Sequence, residues 1–425
     1  MRKSITIKRT CAVAAACTLV ALTGGTGQSA RAQHPTGSST VSGTVTFWNA
    51  YGSVGPENTT LVTKVLPAFQ KLYPNVTVYS QNFPPTGVLL QRLVTAVAAG
   101  SAPDVVRSDI VWVPQLAKIG ALATTDGIMT ARKSQFYAAP VATTYYQGHY
   151  YGLPLDTNTR VLFYNRTLFA RAGIAQPPTT TAQFMADATR LAALGKNIFG
   201  YAEGGLDAWN IWPWLYSFGG AVTDPAYTRA SGYLNGAKTV AALQFLVNML
   251  DKGSLSPSLL GGGLQTSDAI GQNQAGMILD GPWMPPIFKA TYPKLDFGLA
   301  PVPAGPDGYS ASVVGGEDLV LMKSSQNAAA ARAFVQFMTS PQAQVLMGQV
   351  GQMPVLKGVS NNPTLPAYYK VFDQQLRTAQ PRTLSPNWVK IDTVLTDAFN
   401  RAFRHQATPK AALDSAAQQI DGLLK

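Results

Sequence analysis

Between Tyr151 and Gly173 the chain runs through three structural signals with little between them. Tyr151-Gly-Leu-Pro-Leu-Asp156, then Leu162-Phe-Tyr-Asn165, then Leu168-Phe-Ala-Arg-Ala-Gly173 read in succession as a strand, a crossing point and a capped helix. Such a crossing needs a second body to cross into. The size of the chain agrees, because the roughly 390 residues left after the N-terminal leader exceed what one hydrophobic core usually supports. Two lobes are therefore expected, each large enough to bury most of its apolar surface.

The first thirty residues indicate where such a protein works. Arg2, Lys3, Lys8 and Arg9 form a basic region, Cys11 to Leu22 a short apolar core, and Ala30-Arg31-Ala32 a small-x-small cleavage site. Together they describe a secretory signal peptide over 1–32 rather than a membrane span, with the mature chain starting at Gln33. Lipidation at Cys17 is the rival, but Ala14-Ala15-Ala16 lacks the large aliphatic residue of a lipobox. Both cysteines, Cys11 and Cys17, fall inside the signal, so the mature chain has neither disulfide nor cysteine metal ligand.

The net charge of +12 loses five basic residues and no acid with the signal, which leaves +7. Only 13% of residues are charged and the basic ones are scattered, so a nucleic-acid footprint, which needs a clustered stripe, is not expected.

Residues 33–42 form a polar Gly/Ser/Thr leader, expected to be disordered. Beyond it Thr44-Val-Thr-Phe-Trp48, Val76-Thr-Val-Tyr79 and Asp104-Val-Val106 read as strands. Val88 to Ala99 reads as a helix presenting Leu89, Leu90, Leu93, Val94 and Val97 before Gly100. Thr180 with Gln183 forms a candidate capping box, and Ser340-Pro341 a cap with proline in the first turn. Strand alternating with helix implies an α/β architecture, in which ligands bind at the carboxyl ends of strands.

Absent motifs remove whole classes. No phosphate-cradling Gly-x-x-x-x-Gly-Lys-Ser/Thr, no Gly-x-Ser-x-Gly and no His-Glu-x-x-His occurs, and the histidines are only His34, His149 and His405. No catalytic residue, metal or cofactor is expected. A glycosidase needs two carboxylates flanking one bond, and adjacent Glu317-Asp318 in a strand would point to opposite faces.

What remains is aromatic and amide chemistry. A sugar ring has apolar C–H faces and a rim of hydroxyls, so its binder wants indole platforms and Asp, Asn or Glu around them. Trp48, Trp112, Trp209, Trp212, Trp214, Trp283 and Trp388 supply the platforms, and Ile278-Leu-Asp-Gly-Pro-Trp283 is a strand that breaks at Gly-Pro and aims Trp283 out of the sheet.

In their order, Trp48, Pro103-Asp-Val-Val106, the 151–173 run, Gly281-Pro-Trp283, Gly315-Gly-Glu317 and Trp388 resemble the maltose-binding-like, carbohydrate-binding class of ABC-transporter solute-binding proteins. The resemblance implies a two-lobed periplasmic-binding-protein type II-like fold of mixed, mostly parallel sheets with a cleft and a hinge. It further implies a carbohydrate ligand, a membrane permease as partner, and an exported, soluble monomer. Trp48 and Asn49 then stand where the first loop enters the cleft, with a core tryptophan as the alternative. Trp209 and Trp212 form the second lobe's aromatic segment, at least one of them facing ligand, and Trp283 stacks on sugar. Trp388 is the late aromatic. Asp109, Asp156, Asn158, Gly316 and Glu317 form the polar rim, and Asp104 is structural.

The chain is then expected to cross near Leu155, Val314 and Gly351, giving lobe 1 as 43–155 plus 316–351 and lobe 2 as 156–315 plus 352–425. The class also includes glycerol phosphate binders, for which Arg92, Arg107 and Arg160 are the candidate anion ligands.

Overall fold

The computed structural model describes residues 40–425 apart from 53 and 85. The expected signal peptide, Cys17 and residues 33–39 of the leader lie outside the described residues.

The strands are β1 (Gly43–Asn49), β2 (Val76–Asn82), β3 (Val105–Asp109), β4 (Tyr145–Tyr146), β5 (His149–Tyr150), β6 (Gly152–Thr159), β7 (Val161–Asn165), β8 (Phe199–Ala202), β9 (Ala275–Asp280), β10 (Phe297–Ala300), β11 (Val314–Leu321) and β12 (Met353–Pro354). One lobe is built on a six-stranded sheet in the order β12-β6-β11-β3-β1-β2, the other on a four-stranded sheet in the order β10-β7-β9-β8. Among these strands the parallel pairs are β1 with β2 and β3, and β8 with β9. The antiparallel ladders arise where strands change lobe or return: β11 runs against both β3 and β6, and β7 against β9 and β10. The sheets are mixed as expected, but parallel pairs are the minority.

Local patterning explains the elements. In β1 the alternation buries Val45 and Phe47, and Phe47 meets Phe334 edge-on at 5.1 Å. The helix Thr86–Ala98 buries Leu89, Leu93 and Ala96, whereas Val94 faces solvent at 40% exposure, because a residue one step on from Leu93 has turned about 100° around the axis. The helix Thr181–Ala192 is capped by Thr180, whose Oγ1 accepts from Gln183 N at 3.2 Å. Gln183 Oε1 reaches back to Thr179 N at 2.9 Å, one residue earlier than in the standard capping box. Ser340 caps the helix Pro341–Gly348 as expected.

The passage between sheets is short. β6 pairs with β11 as far as Thr159 opposite Val314, and β7 enters the other sheet at Val161, leaving only Arg160 between them. The boundary expected after Leu155 thus falls inside β6. After Gly351 the chain still pairs with β6 through β12, and Val355 and Leu356 pack with Phe136. Met353 of β12 already touches the core of the four-stranded lobe, and Tyr369 and Phe372 carry the chain into it against Phe163 and Phe288. The helices Trp388–Phe403 and Pro409–Leu423 close that lobe against Trp212 and Leu243. Among the described residues no helix is long and apolar enough to cross a membrane.

Candidate functional site

A cleft of about 650 Å³ opens between the two sheets, within the usual range for a small-molecule site. Its first wall comes from the start of helix Thr86–Ala98 and from Asp109 at the carboxyl end of β3, with Trp112 beyond it. The crossing strands give the floor, Asn158 from β6 with Gly315, Gly316 and Glu317 from β11. Trp209, Trp283, Arg382 and Trp388 stand opposite.

The indoles are held in place by small residues. Trp283 lies 6.0 Å from Trp209 at an interplanar angle of 33°. A methyl group at Gly281 would fall 2.2 Å from the Trp283 ring, so the Gly-Pro break gives the indole room to fold back over its own strand end. Gly315 does the same for Trp209: a Cβ there would lie 2.1 Å from Asn158 Oδ1 and 2.5 Å from the Trp209 ring. Trp209 is the second residue of helix Ala208–Ser217, capped by Asp207, whose Oδ1 and Oδ2 accept from Asn210 N and Asn210 Nδ2 at 3.2 and 2.7 Å.

Charge is largely matched inside the protein. Arg382 donates two hydrogen bonds to Asp109, at 3.1 and 2.6 Å, and its guanidinium sits 5.9 Å from the Trp209 ring and 5.8 Å from that of Trp388. This pair joins the two lobes across the cleft. Beneath the floor Arg107 lies 2.8 Å from Glu317 and 3.5 Å from Asp156, and it donates to Gln352 Oε1 at 2.9 Å. Gln352 Nε2 in turn donates to Glu57 at 2.8 Å. Two carboxylates contact one guanidinium there and a third is linked to it through Gln352, and burial pushes Glu57, Asp156 and Glu317 above the usual carboxylate range despite the attraction of Arg107. Asp392, on the cleft wall, is raised to about 6, first by burial and then by the charge of Asp207.

Of the expected residues, the cleft brings together Asp109, Asn158, Trp209, Trp283, Gly316, Glu317 and Trp388. The other four lie elsewhere. Trp48 alternates outward from Phe47, packs edge-on to Phe83 at 5.0 Å and lines a neighbouring groove along helix Thr86–Ala98. Asn49 points inward and is fully buried, donating to Ser80 Oγ at 2.9 Å. Asp156 belongs to the Arg107 cluster beneath the floor. Trp212, three residues along the helix from Trp209, is fully buried and backs Trp388 at 5.6 Å. Asp104 is structural as expected, accepting from Thr46 N at 2.8 Å.

Three charged wall residues were not anticipated: Arg382, Asp207 and Asp392. Their signals are local. Arg382 lies in a loop bounded by Pro381 and Pro386, Asp207 precedes a helix with Asn210 three residues on, and Asp392 follows Trp388 by one helical turn.

Residues 52–345 match the model of the bacterial extracellular solute-binding proteins. The chain belongs to this family. A binding protein of Brucella abortus strain 2308 is 26% identical over 373 residues, covering 85% of this chain and 89% of that one. The sn-glycerol-3-phosphate-binding periplasmic protein of Yersinia pestis is 23% identical, covering 90% and 92%. Among solved structures, the GacH receptor of Streptomyces glaucescens, determined unliganded and with acarbose, superposes with a TM-score of 0.83 at 26% identity, covering 90% of this chain and 99% of that one. A Thermotoga lettingae solute-binding protein bound to α-D-tagatose gives 0.81 at 26% identity, covering 90% and 100%. The family is one of binding proteins, so this solute-binding protein is not read as a glycosidase.

Proposed function

We propose that this solute-binding protein captures a mono- or oligosaccharide between its lobes and delivers it to the membrane permease of an ABC importer. The observation that carries the reading is the cleft wall itself. Trp209, Trp283 and Trp388 offer apolar faces at one cavity, with Asp109, Asn158 and Glu317 spaced between them for hydroxyls. The acarbose and tagatose complexes of the two structural relatives support it.

The glycerol phosphate relative favours an anionic polyol instead. Charge weighs against that ligand. Arg107 and Arg160 are buried against Glu317 and Glu203, Arg92 stacks on Phe83 outside the cleft, and Arg382 is taken by Asp109. A phosphate would have to displace one of these carboxylates, at the cost of an unpaired buried charge.

The lobes would swing about Arg160, the segment ahead of β11 and the stretch after Gly348, in place of the boundaries at 155 and 351. Arg160 Nη1 donates to the carbonyls of Trp209 and Asn210, at 3.2 and 2.8 Å, so this pivot also carries the aromatic segment. Ligand would favour the closed form only by its differential affinity for it. Export by cleavage before Gln33 and a monomeric state belong to the same reading.

The test is thermal unfolding of residues 33–425 against saccharides, polyols and glycerol phosphate. A ligand at about a hundred times its dissociation constant adds roughly 2.7 kcal/mol, which for a chain of this size raises the midpoint by about 3 °C. A shift with glycerol phosphate and none with any saccharide would reverse the assignment.

A further inference from the structure

The cleft holds more carboxylates than its cations can match. Of its four acids, Asp109 is paired with Arg382 and Glu317 lies against Arg107. The other two, Asp207 and Asp392, have no lysine or arginine in ion-pair contact among the described residues. Both stand at the start of helix Ala208–Ser217, where Asp392 Oδ1 accepts from Ala208 N at 2.9 Å and Asp207 accepts from Asn210. These bonds position the carboxylates without pairing either of them with a cation.

A second, independent observation lies on the floor of the same cleft. Asn158 is 6% exposed, and its Oδ1 is buried with no hydrogen-bond partner. Arg382 Nε is a buried donor in the same state, but the remaining nitrogens of that guanidinium are committed to Asp109. Glu317 Oε2 also lacks a hydrogen-bond partner but lies against Arg107, so the acceptors without a facing cation are two carboxylates and the Asn158 amide oxygen, on a cleft whose indoles already carry a guanidinium over their faces. An ammonium group offers three donors, no acceptor and a positive charge, and it stacks favourably on tryptophan. A hydroxyl in its place would supply one donor and leave the charge uncompensated.

We infer that the preferred solute is a saccharide bearing a protonated amine, held by Asp207, Asp392 and the Asn158 amide. This rests on the saccharide reading above and narrows it. The groups facing Asp392 are Asp207 from the helix start, Asp109 from the end of β3 and Arg382 from its own loop. Burial and the charge of Asp207 raise Asp392 to about 6, so the preference weakens as the pH falls through that value and Asp392 takes up its proton.

The test is calorimetric titration of residues 33–425 at pH 7 with matched pairs: 6-amino-6-deoxyglucose against glucose, 6-amino-6-deoxytrehalose against trehalose, and a chitosan trisaccharide against cellotriose. A hydrogen-bonded charge contact is expected to favour the amine by about tenfold or more in at least one pair. In Asp392→Asn and Asp207→Asn the ratio of amine to neutral affinity should fall towards one, whatever happens to either affinity alone. The amide in Asp392→Asn keeps an oxygen for Ala208 N, so the fold is not the variable. Binding of neutral sugars with no amine preference overturns the inference and leaves the saccharide reading standing. Binding of neither class overturns both. A preference that survives in both variants places the amine elsewhere and overturns the assignment of these carboxylates.

Discussion

Replacing Arg382 by glutamine tests the geometry of the cleft most directly, since this one side chain ties the two lobes together. The exchange removes both hydrogen bonds to Asp109 and the cation between Trp209 and Trp388. The Arg382 side chain is 8% exposed and that of Asp109 18% exposed, so the pair is closer to a buried ion pair than to a surface one. Breaking a buried pair by removing one partner costs about 3 to 5 kcal/mol. Asp109 keeps its bond from Val111 N at 3.1 Å and borders an open cleft, so the lower end of that range, about 3 kcal/mol, is the expected loss. At about 2.1 cal/mol/K of unfolding entropy per residue, that loss lowers the midpoint by roughly 4 °C. The assay is a double-mutant cycle with Asp109→Asn, followed by denaturant and thermal unfolding. Removing both charges should cost less than the sum of the single losses, with a coupling energy of about 1.5 kcal/mol or more. A coupling within about 0.5 kcal/mol of zero would show that the two residues do not hold each other, and the description of the cleft wall would fall with it.

Trp283 and Trp212 should separate function from stability. Trp283→Ala is expected to weaken saccharide binding by about tenfold or more at modest cost to the fold, whereas Trp212→Ala should cost about 3 to 5 kcal/mol of stability through the cavity it leaves. Equal effects of the two on affinity would contradict their placement. Glu57, Asp156 and Glu317 ionise above the usual carboxylate range in the folded protein, so folding takes up protons and stability falls as pH rises from about 4.5 towards neutral. Glu317→Gln should flatten that decline above about pH 4.5, and an unchanged slope of midpoint against pH would count against the buried cluster. Mass spectrometry of the exported protein should find Gln33 at its N-terminus, and an acylated Cys17 would refute that start.

Much of the fold was legible because its signals are local. The alternation in β1, the break at Gly281-Pro282 and the caps at Thr180 and Ser340 each depend on a few neighbouring residues. Periodicity also explains the errors. Trp209 and Trp212 are three residues apart on one helix, and the sequence alone does not say which of them meets the cleft and which meets Trp388. Asp156 and Asn158 lie on one strand, yet the first is drawn to Arg107 beneath the floor while the second faces the cavity.

By itself the sequence determined the expectation of two lobes, from chain length against the capacity of one core, and the α/β alternation, the caps and a store of indoles at strand ends and helix starts, which follow from periodicity and backbone chemistry within short windows. Only the tertiary structure decided the electrostatics of the cleft. Asp109 meets Arg382 across 273 residues, and Arg107 meets Gln352 across 245. Which charges cancel and which remain to meet a ligand depends on partners that no local pattern brings together.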